Sequence, residues 1–160
     1  MRSHLTATPL RWWSLEAVAG YRYERFEPRG ASLAAGASER HRAEGGLETA
    51  LHVPAADLIL IPSVRLEHMQ SQGAGASAAD TEWSGRVALV NESVPDLRLS
   101  ISGGRGVRLP SLFELFGNSG RVLGSPGLRP ETAWSLDGGV VYSSTMLPRG
   151  WKLRAEAFAF

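Results

Sequence analysis

The amino-acid sequence predicts an all-β protein: an antiparallel up-and-down transmembrane β-barrel that is partial, with about seven strands of a larger barrel. Three observations support this prediction. Apolar and polar residues alternate along most of the chain, which indicates strands with one face in an apolar environment. Most alternating segments have about ten residues, the length of a tilted membrane strand and about twice that of an average strand. Long and short connections also alternate, which is typical of a barrel with loops at one end and turns at the other.

The predicted strands follow one another without a helical segment of comparable length. In the fifth, Leu97, Leu99 and Ile101 alternate with Arg98 and Ser100. The seven segments are 13–23, 40–53, 58–69, 82–91, 97–102, 132–142 and 150–160. Their spacing predicts consecutive antiparallel neighbours.

The six connections between these segments supply the loop prediction. In chain order they are EPRGASLAAGASE, PAAD, SQGAGASAAD, ESVPD, residues 107–130 and SSTMLP. The first, third and fifth are longer than the others, so we expect loops at one end of the barrel and tight turns at the other. The Gly, Ala and Ser content of the first and third predicts flexible segments.

Aromatic residues stand near the ends of two predicted strands. Trp12 and Trp13 begin the first strand, and Tyr21 and Tyr23 end it. Trp134 and Tyr142 bracket the sixth in the same way. This placement is typical of the aromatic girdles of membrane barrels, although aromatic core residues of a soluble sandwich would give a similar pattern.

Composition excludes several classes of protein. Seventeen basic and sixteen acidic residues give a formal net charge of +1, without the basic excess that nucleic-acid binding needs. The chain has no cysteine, so disulfides, thiolate nucleophiles and cysteine metal sites are excluded. The longest aliphatic run, Leu58 to Ile61, is far shorter than the about 20 residues of a membrane helix. The N-terminal residues contain no readable signal peptide.

No arrangement of residues predicts an enzyme. Gly104 and Gly106 follow a strand, but Leu109 stands where a dinucleotide-binding loop needs its third glycine. The four histidines show no metal-ligand spacing, and no serine lies in a nucleophile-elbow motif. We therefore expect no catalytic residue, no metal ligand and no cofactor.

Charged residues occupy the polar positions of the central predicted strands. Cross-strand ion pairs that line a wet lumen explain them better than general acid–base chemistry does. The candidates for lumen-facing positions are Arg40, Glu48, Arg65, Glu67 and Arg86.

The longest connection contains a local helix signal. Ser111 and Glu114 form a capping box, Pro110 precedes it and Gly117 ends it. The sequence therefore predicts one or two helical turns here, with apolar side chains that must dock on the lumen or on a neighbouring loop.

The same connection carries two motifs that resemble a known family. Residues 108–115, RLPSLFEL, resemble the R-x-P-S-x-x-E-L signature of TonB-dependent outer-membrane receptors, and residues 127–131, GLRPE, resemble the family's L-x-P-E element, with its asparagine-containing part altered. The motif positions, to which we assign structural and loop-shaping roles, are Arg108, Pro110, Ser111, Glu114, Leu115, Leu128, Pro130 and Glu131.

The resemblance implies a function. Receptors of this family sit in the outer membrane of Gram-negative bacteria and import scarce ligands such as ferric siderophores, haem or cobalamin. Their partners are outer-membrane lipid, the small-molecule ligand and the TonB complex, which acts through an N-terminal region. The resemblance thus implies that residues 1–160 are a partial barrel domain without a plug domain, in an internal fragment of a longer receptor or a broken reading frame.

The alternative is a self-contained β-rich binding module, either soluble or a small barrel. Ligand-binding residues stay unknown.

Overall fold

A computed structural model describes residues 1–27, 37–73, 75–117, 124–144 and 153–159. These residues form eight strands and a short helix, α1, with one 3-10 turn at Pro54–Ala56. The strands are β1 (Arg2–Leu10), β2 (Trp13–Phe26), β3 (Ser38–Val53), β4 (Leu58–Gly73), β5 (Ala76–Val94), β6 (Leu97–Arg108), β7 (Glu131–Ser144) and β8 (Leu153–Ala159), and α1 is Leu112–Phe116.

The strands form a single antiparallel sheet in chain order, from β1 to β8. Within the described residues, β1 and β8 pair with one neighbour each and lie at the edges of an open sheet. The predicted all-β, up-and-down architecture is therefore confirmed, and all seven predicted strands are present as β2 to β8.

Strand β1 is an addition to the predicted set. It pairs with β2 from Arg2 opposite Gly20 to Leu10 opposite Trp13, with a shift in register near Pro9. Its alternation is weak because Leu5 is its one large apolar residue before Leu10. The pairing with β2, rather than a hydrophobic pattern, gives this segment its strand conformation.

The predicted long link between β4 and β5 is wrong. Strand β4 continues to Gly73 and β5 begins at Ala76, so two residues connect them, and Gly75 has a left-handed φ of 77°. The Gly-, Ala- and Ser-rich residues continue the ladder, with Ser71 opposite Ala78. The Gly, Ala and Ser content, which is typical of loops, therefore concealed a hairpin.

Three further tight turns occur at the end of the sheet opposite the β4–β5 hairpin, called here the lower end; the end with that hairpin is called the upper end. They are Arg11–Trp12, residues 54–57 and Pro95–Asp96, and Asp57 and Asp96 adopt positive φ. The upper end holds the long connection with α1. Residues 28–36 and 145–152, which contain most of two predicted connections, lie outside the described residues.

Side chains alternate between two contrasting faces. Large apolar side chains project from one, the apolar face, and remain at least 39% exposed: Leu5, Tyr21, Tyr23, Leu47, Val64, Leu66, Trp83, Val87, Leu99, Ile101, Trp134, Leu136, Val140 and Tyr142. The other, the charged face, carries Glu16, Arg22, Glu24, Arg40, Arg42, Glu44, Glu48, Arg65, Glu67, Asp80, Glu82, Arg86 and Asp137. A single sheet with an exposed apolar face is the reverse of a half-buried soluble sheet.

The predicted aromatic placement appears at both ends of the apolar face. Trp13 and Tyr142 lie near the lower end, beside the tight turns. Tyr21 and Tyr23 lie toward the upper end of β2, and Trp134 lies near the upper end of β7. Among the described residues, no helix is long and apolar enough to cross a membrane.

Candidate functional site

The charged face is the candidate site because it gathers every residue predicted to face a lumen. Cross-strand partners point to the same side of a sheet. Glu48 lies opposite Ser63, which lies opposite Arg86, and this row includes Glu16. Arg40, Arg65 and Glu67 follow on the same side of β3 and β4.

Ion pairs connect β3 and β4 at the centre of this face. Arg42 donates to Glu67 at 2.7 Å, and Arg65 pairs with the other oxygen of Glu67 at 2.7 Å. Arg65 also donates to Glu44, whose side chain is largely buried. Glu44 lies opposite Glu67, which lies opposite Glu82. The arginines therefore offset the repulsion between carboxylates on neighbouring strands.

Arg86 makes a second network, which extends across three strands. Its guanidinium donates to the Ser102 hydroxyl of β6 and to the Asp137 carboxylate of β7 at 2.9 Å. Ser102 also donates to Asp137 at 3.0 Å. The alternation of β6 and β7 predicts which residues share the face, but the pairing of these three strands decides that they touch.

Glu48 stands in a different environment. It faces Glu16 directly across β2 and β3, and Glu16 contacts the ring of His4 at 2.5 Å. Within the part of the chain that the structure describes, Glu48 has no ion pair. It lines a groove of about 310 Å³ on the charged face, together with residues of β1 to β6: Arg2, Glu16, Val18, Glu44, Gly45, Gly46, Leu47, Ser63, Val64, Arg65, Ser84, Gly85, Arg86 and Arg105.

Arg40 is the one predicted lumen residue that is fully covered. It is 5% exposed, and its Nε donates to the Ser71 hydroxyl at 3.0 Å. Its Nη2 donates to the Pro110 carbonyl at 2.6 Å, and a carboxylate oxygen of Glu24 lies 3.9 Å from Nη1. Arg40 thus contacts the long connection rather than open space. Seventy residues separate Arg40 from Pro110, and no local sequence signal predicts this contact.

The predicted capping box is present in that connection. The Ser111 hydroxyl accepts from the Glu114 amide at 3.2 Å, and the Glu114 carboxylate accepts from the Ser111 amide at 2.7 Å. Arg108 donates to Glu114 at 2.6 Å and lies 3.2 Å from Glu131. These contacts join both ends of the connection to its helix.

Hydrogen bonds also shift the titration of Glu114. Donation from the Ser111 amide, and then from Arg108 and the Ser111 hydroxyl, lowers the pKa of Glu114 from 4.5 to about 2. The carboxylate is therefore ionised throughout the neutral range, and the capping box and the Arg108 pair are both present there.

Helix α1 packs on the upper end of the charged face. Leu112, Leu115 and Phe116 form a buried cluster against Phe26 of β2 and two alanines of β5, Ala76 and Ala78. These strand residues share the register of Arg40. The Phe113 ring meets the Phe26 ring edge to face, 6.4 Å between centroids. The sequence predicts that this segment docks, and the structure identifies the surface.

The second motif follows as the chain returns to the sheet. The Ser125 amide donates to the Glu114 carbonyl at 3.0 Å, and the Leu128 amide donates to the Ser125 carbonyl at 3.0 Å. Leu128 and Glu131 are exposed, and Pro130 is half-buried immediately before β7. Among the motif residues, Pro110 and Leu115 are the fully buried members.

Arg105 is a residue that the sequence patterns missed. Strand β5 pairs with β4 along its length, but its pairing with β6 ends at Gly85 opposite Arg105. Above this point, among the described residues, β5 keeps only β4 as a neighbour. The Arg105 guanidinium lies 4.7 Å from the Trp83 ring centre, donates to the Trp83 carbonyl and contacts Glu82 at 2.9 Å. It therefore fills the point where the two strands separate. An arginine in the apolar register between Gly103 and Val107 was the available signal.

The described residues contain no group of three or more His, Cys, Asp or Glu placed to hold a metal ion. The polar side chains of the site are organised as ion pairs and hydrogen bonds between strands.

Comparison with known proteins gives one family and several similar solved structures. The family model described as TonB dependent receptor-like, β-barrel, matches residues 7–159. No curated protein sequence matches significantly.

Solved structures match at low sequence identity. The copper transporter OprC is 17% identical, with a TM-score of 0.75 over 98% of this chain and 28% of its own. The FrpB iron transporter of Neisseria meningitidis, F5-1 variant, is 12% identical, with a TM-score of 0.76 over 98% of this chain and 27% of its own. The F3-3 variant is 13% identical, with a TM-score of 0.74 over 88% of this chain and 24% of its own. The chain thus spans about a quarter of the length of the transporters that it matches, and at these identities the likeness shows the fold.

Proposed function

The chain belongs to the TonB-dependent receptor β-barrel family, and we propose that it forms part of the wall of an outer-membrane receptor that imports a scarce ligand. The observation that carries the proposal is the contrast between the two faces of one sheet. Large apolar side chains are exposed on one face, and linked ion pairs occupy the other. In this proposal residues 1–160 belong to a single barrel domain.

The apolar face supports contact with lipid. It forms a continuous surface, because rows such as Leu47, Val64 and Gly85 cross neighbouring strands. Exposed apolar surface of this extent is unfavourable in water but favourable against acyl chains, and aromatic residues near its ends match the two membrane interfaces.

The charged face supports a water-filled or protein-filled lumen. Arg65, Glu67 and Arg86 hold partners on neighbouring strands, and Glu48 lines the groove. A charged wall of this type tolerates a polar ligand or a polar protein segment, whereas contact with lipid would leave its charges without water.

The ligand proposed here is a metal chelate. The chain's fold matches transporters named for iron and for copper, and the family resemblance in the long connection adds ferric siderophores, haem and cobalamin as candidates. Import would draw its energy from the TonB complex, which in this proposal acts through an N-terminal region of the receptor. No catalytic residue, metal ligand or cofactor of the chain takes part in this proposal.

Deletion of the gene that encodes this chain tests the proposal in its own bacterium. We expect the chain in the outer-membrane fraction, and we expect the deletion to lower uptake of one labelled ligand among ferric siderophore, haem, copper and cobalamin during starvation. Restoring the gene should restore uptake. A chain that fractionates with soluble proteins, or uptake that is unchanged for every ligand, would overturn the proposal.

The energy source requires a separate measurement. The same uptake assay in a strain without TonB should give the low rate of the deletion strain. Uptake that depends on this chain but persists without TonB would contradict the coupling while leaving the transport function intact.

A further inference from the structure

We propose that Arg40 is a positioning residue that holds α1 against the charged face as a fixed constriction at the upper end of the sheet. Segment 110–116, called here the α1 segment, is then a built part of the wall rather than a mobile loop. The inference uses the proposed function in one respect: it takes the charged face to be the lumen.

The polar anchor is the buried guanidinium. Arg40 contacts Ser71 on its own sheet and Pro110 on the α1 segment, so one side chain joins the two. A guanidinium that is 5% exposed is strongly unfavourable without hydrogen-bond acceptors. Undocking of the segment would break the hydrogen bond from Arg40 to the Pro110 carbonyl, and a water molecule would have to replace that acceptor. The buried arginine therefore favours the docked arrangement.

The apolar anchor lies beside it. Leu115 is completely buried, and it packs with Leu112 and Phe116 against the alanines of β5. Small residues on the strand leave room for large residues on the helix. Undocking would expose this cluster, which the hydrophobic effect opposes.

Two glycines show how closely the parts approach. A Cβ atom at Gly73 would lie 3.0 Å from the Phe116 ring and closer still to the Ser38 side chain. A Cβ atom at Gly124 would lie 2.5 Å from the Leu115 carbonyl oxygen. The first glycine allows the helix to meet the sheet, and the second allows the returning chain to cover the helix. The α1 segment thus lies close to the sheet at Phe116 and close to the returning chain at Leu115.

In a closed barrel the α1 segment would occupy part of the cross-section at the upper opening. Five residues of helix and their side chains would narrow the path of a ligand at this level. Arg40 would then act on transport through the position of the α1 segment and not by contact with the ligand.

Cysteine labelling tests the docking directly, because the chain contains no native cysteine. Leu115→Cys places a thiol in the buried cluster, and Phe113→Cys places one on the exposed side of the same helix. In the detergent-solubilised chain, we expect a polar maleimide to react about 100-fold more slowly with the first thiol than with the second. Ala78→Cys gives a second, half-buried thiol on β5, against the same cluster and without altering the helix.

The role of Arg40 is tested in the Leu115→Cys and Ala78→Cys backgrounds. Arg40→Ala should raise the labelling rate of both of these thiols, by about tenfold or more for the buried Leu115→Cys thiol, since the segment loses its polar anchor. The matched control is Arg42→Ala, on the same face of the same strand, because Arg42 pairs with Glu67 and not with the α1 segment. Arg40→Lys keeps the charge and serves as the test if Arg40→Ala does not fold, as judged by circular dichroism.

Equal labelling of the Leu115→Cys and Phe113→Cys thiols would overturn the proposal, since the segment would then be undocked in solution. Equal rates for Arg40→Ala and Arg42→Ala would overturn the role of Arg40. These measurements need no ligand, so a failure of the uptake experiments would leave them standing, and their failure would leave uptake unaffected.

Discussion

Single residues on the charged face differ in what their contacts contribute. Arg98 and Glu92 form an exposed pair near the lower end, and pairs of this type add about 0–1 kcal/mol to stability. Glu67 is more constrained, because two arginines hold its two carboxylate oxygens. Arg40 is the extreme case, since its partners include a backbone carbonyl of the long connection. Equivalent positions in the sequence pattern therefore have different physical roles.

The titration of Glu114 gives a prediction at this scale. Its folded-state pKa of about 2 is below the ordinary 4.5, so the contribution of this carboxylate to the capped segment is present above pH 4.5 and is lost as the pH falls toward 2. Arg108→Gln removes one cause of this lowering and should raise the pKa of Glu114 back toward its ordinary value. The carboxyl ¹³C chemical shift, assigned by its disappearance in Glu114→Gln, measures it. Arg98→Gln, at the other end of β6, should leave this pKa unchanged; a shift of equal size there would contradict the prediction.

Strands act as elements because their alternation fixes which side chains meet lipid. Val64 and Ser63 are neighbours on β4, yet Val64 lies on the apolar face and Ser63 lies opposite Glu48 on the charged face. A single residue thus changes the environment completely, and the consequence of a charge should follow the face rather than the position along the strand.

Val64→Arg and Ser63→Arg test this difference. The first places a charge in the proposed lipid-facing surface and should destabilise the folded chain in lipid vesicles by about 2–4 kcal/mol. The second places the same charge on the charged face between Glu48 and Arg86, where attraction to one offsets repulsion from the other, and it should cost less than about 1 kcal/mol. Denaturant titration in vesicles measures both. Equal destabilisation by the two substitutions would argue against the assignment of the faces.

The long connection gives a second prediction at the element scale. Gly124→Ala places a methyl group against the backbone of residues 115–117, so the returning chain must move away from α1. We expect exchange of the Ser125 amide hydrogen, which bonds to the Glu114 carbonyl, to accelerate about tenfold or more, corresponding to a local cost of about 1–3 kcal/mol. Gly127→Ala is the matched control, because a Cβ atom there meets nothing within 4 Å. Unchanged exchange in Gly124→Ala would show that the connection is not closed over the helix.

At the scale of the whole molecule, the sheet has little interior of its own. Among the described residues few apolar ones are buried, and three of these, Leu112, Leu115 and Phe116, belong to α1 rather than to the sheet. The described sheet also has two open edges, β1 and β8. Its stability therefore depends on what covers the apolar face and on what pairs with the edges.

This dependence predicts how the purified chain behaves in solution. In detergent we expect β-sheet circular dichroism and a protein–detergent complex in sedimentation velocity; after removal of detergent we expect aggregation, since the apolar face becomes exposed to water. A monodisperse monomer in detergent-free buffer would contradict membrane insertion and would favour the alternative, a self-contained soluble binding module.

The sequence by itself determined the features that depend on neighbouring residues. Period-two alternation located β2 to β8 and assigned side chains to their faces, and the Ser111–Glu114 spacing located the capped helix. These signals are local, because the backbone geometry of strands and helix ends repeats over a few residues. Composition misled where small residues continued a hairpin between β4 and β5, and weak alternation concealed β1.

Only the tertiary structure decided which distant residues meet. The contact of Arg40 with Pro110, the network of Arg86 with Asp137 and the position of Arg105 beside Trp83 all depend on strand pairing and register. Alternation predicts the face of the sheet on which a side chain lies, but it does not predict the register in which strands pair or the loop that covers them. The physical reason is that contacts across tens of residues are selected by the packing of the whole sheet, in which local periodicity is one constraint among several.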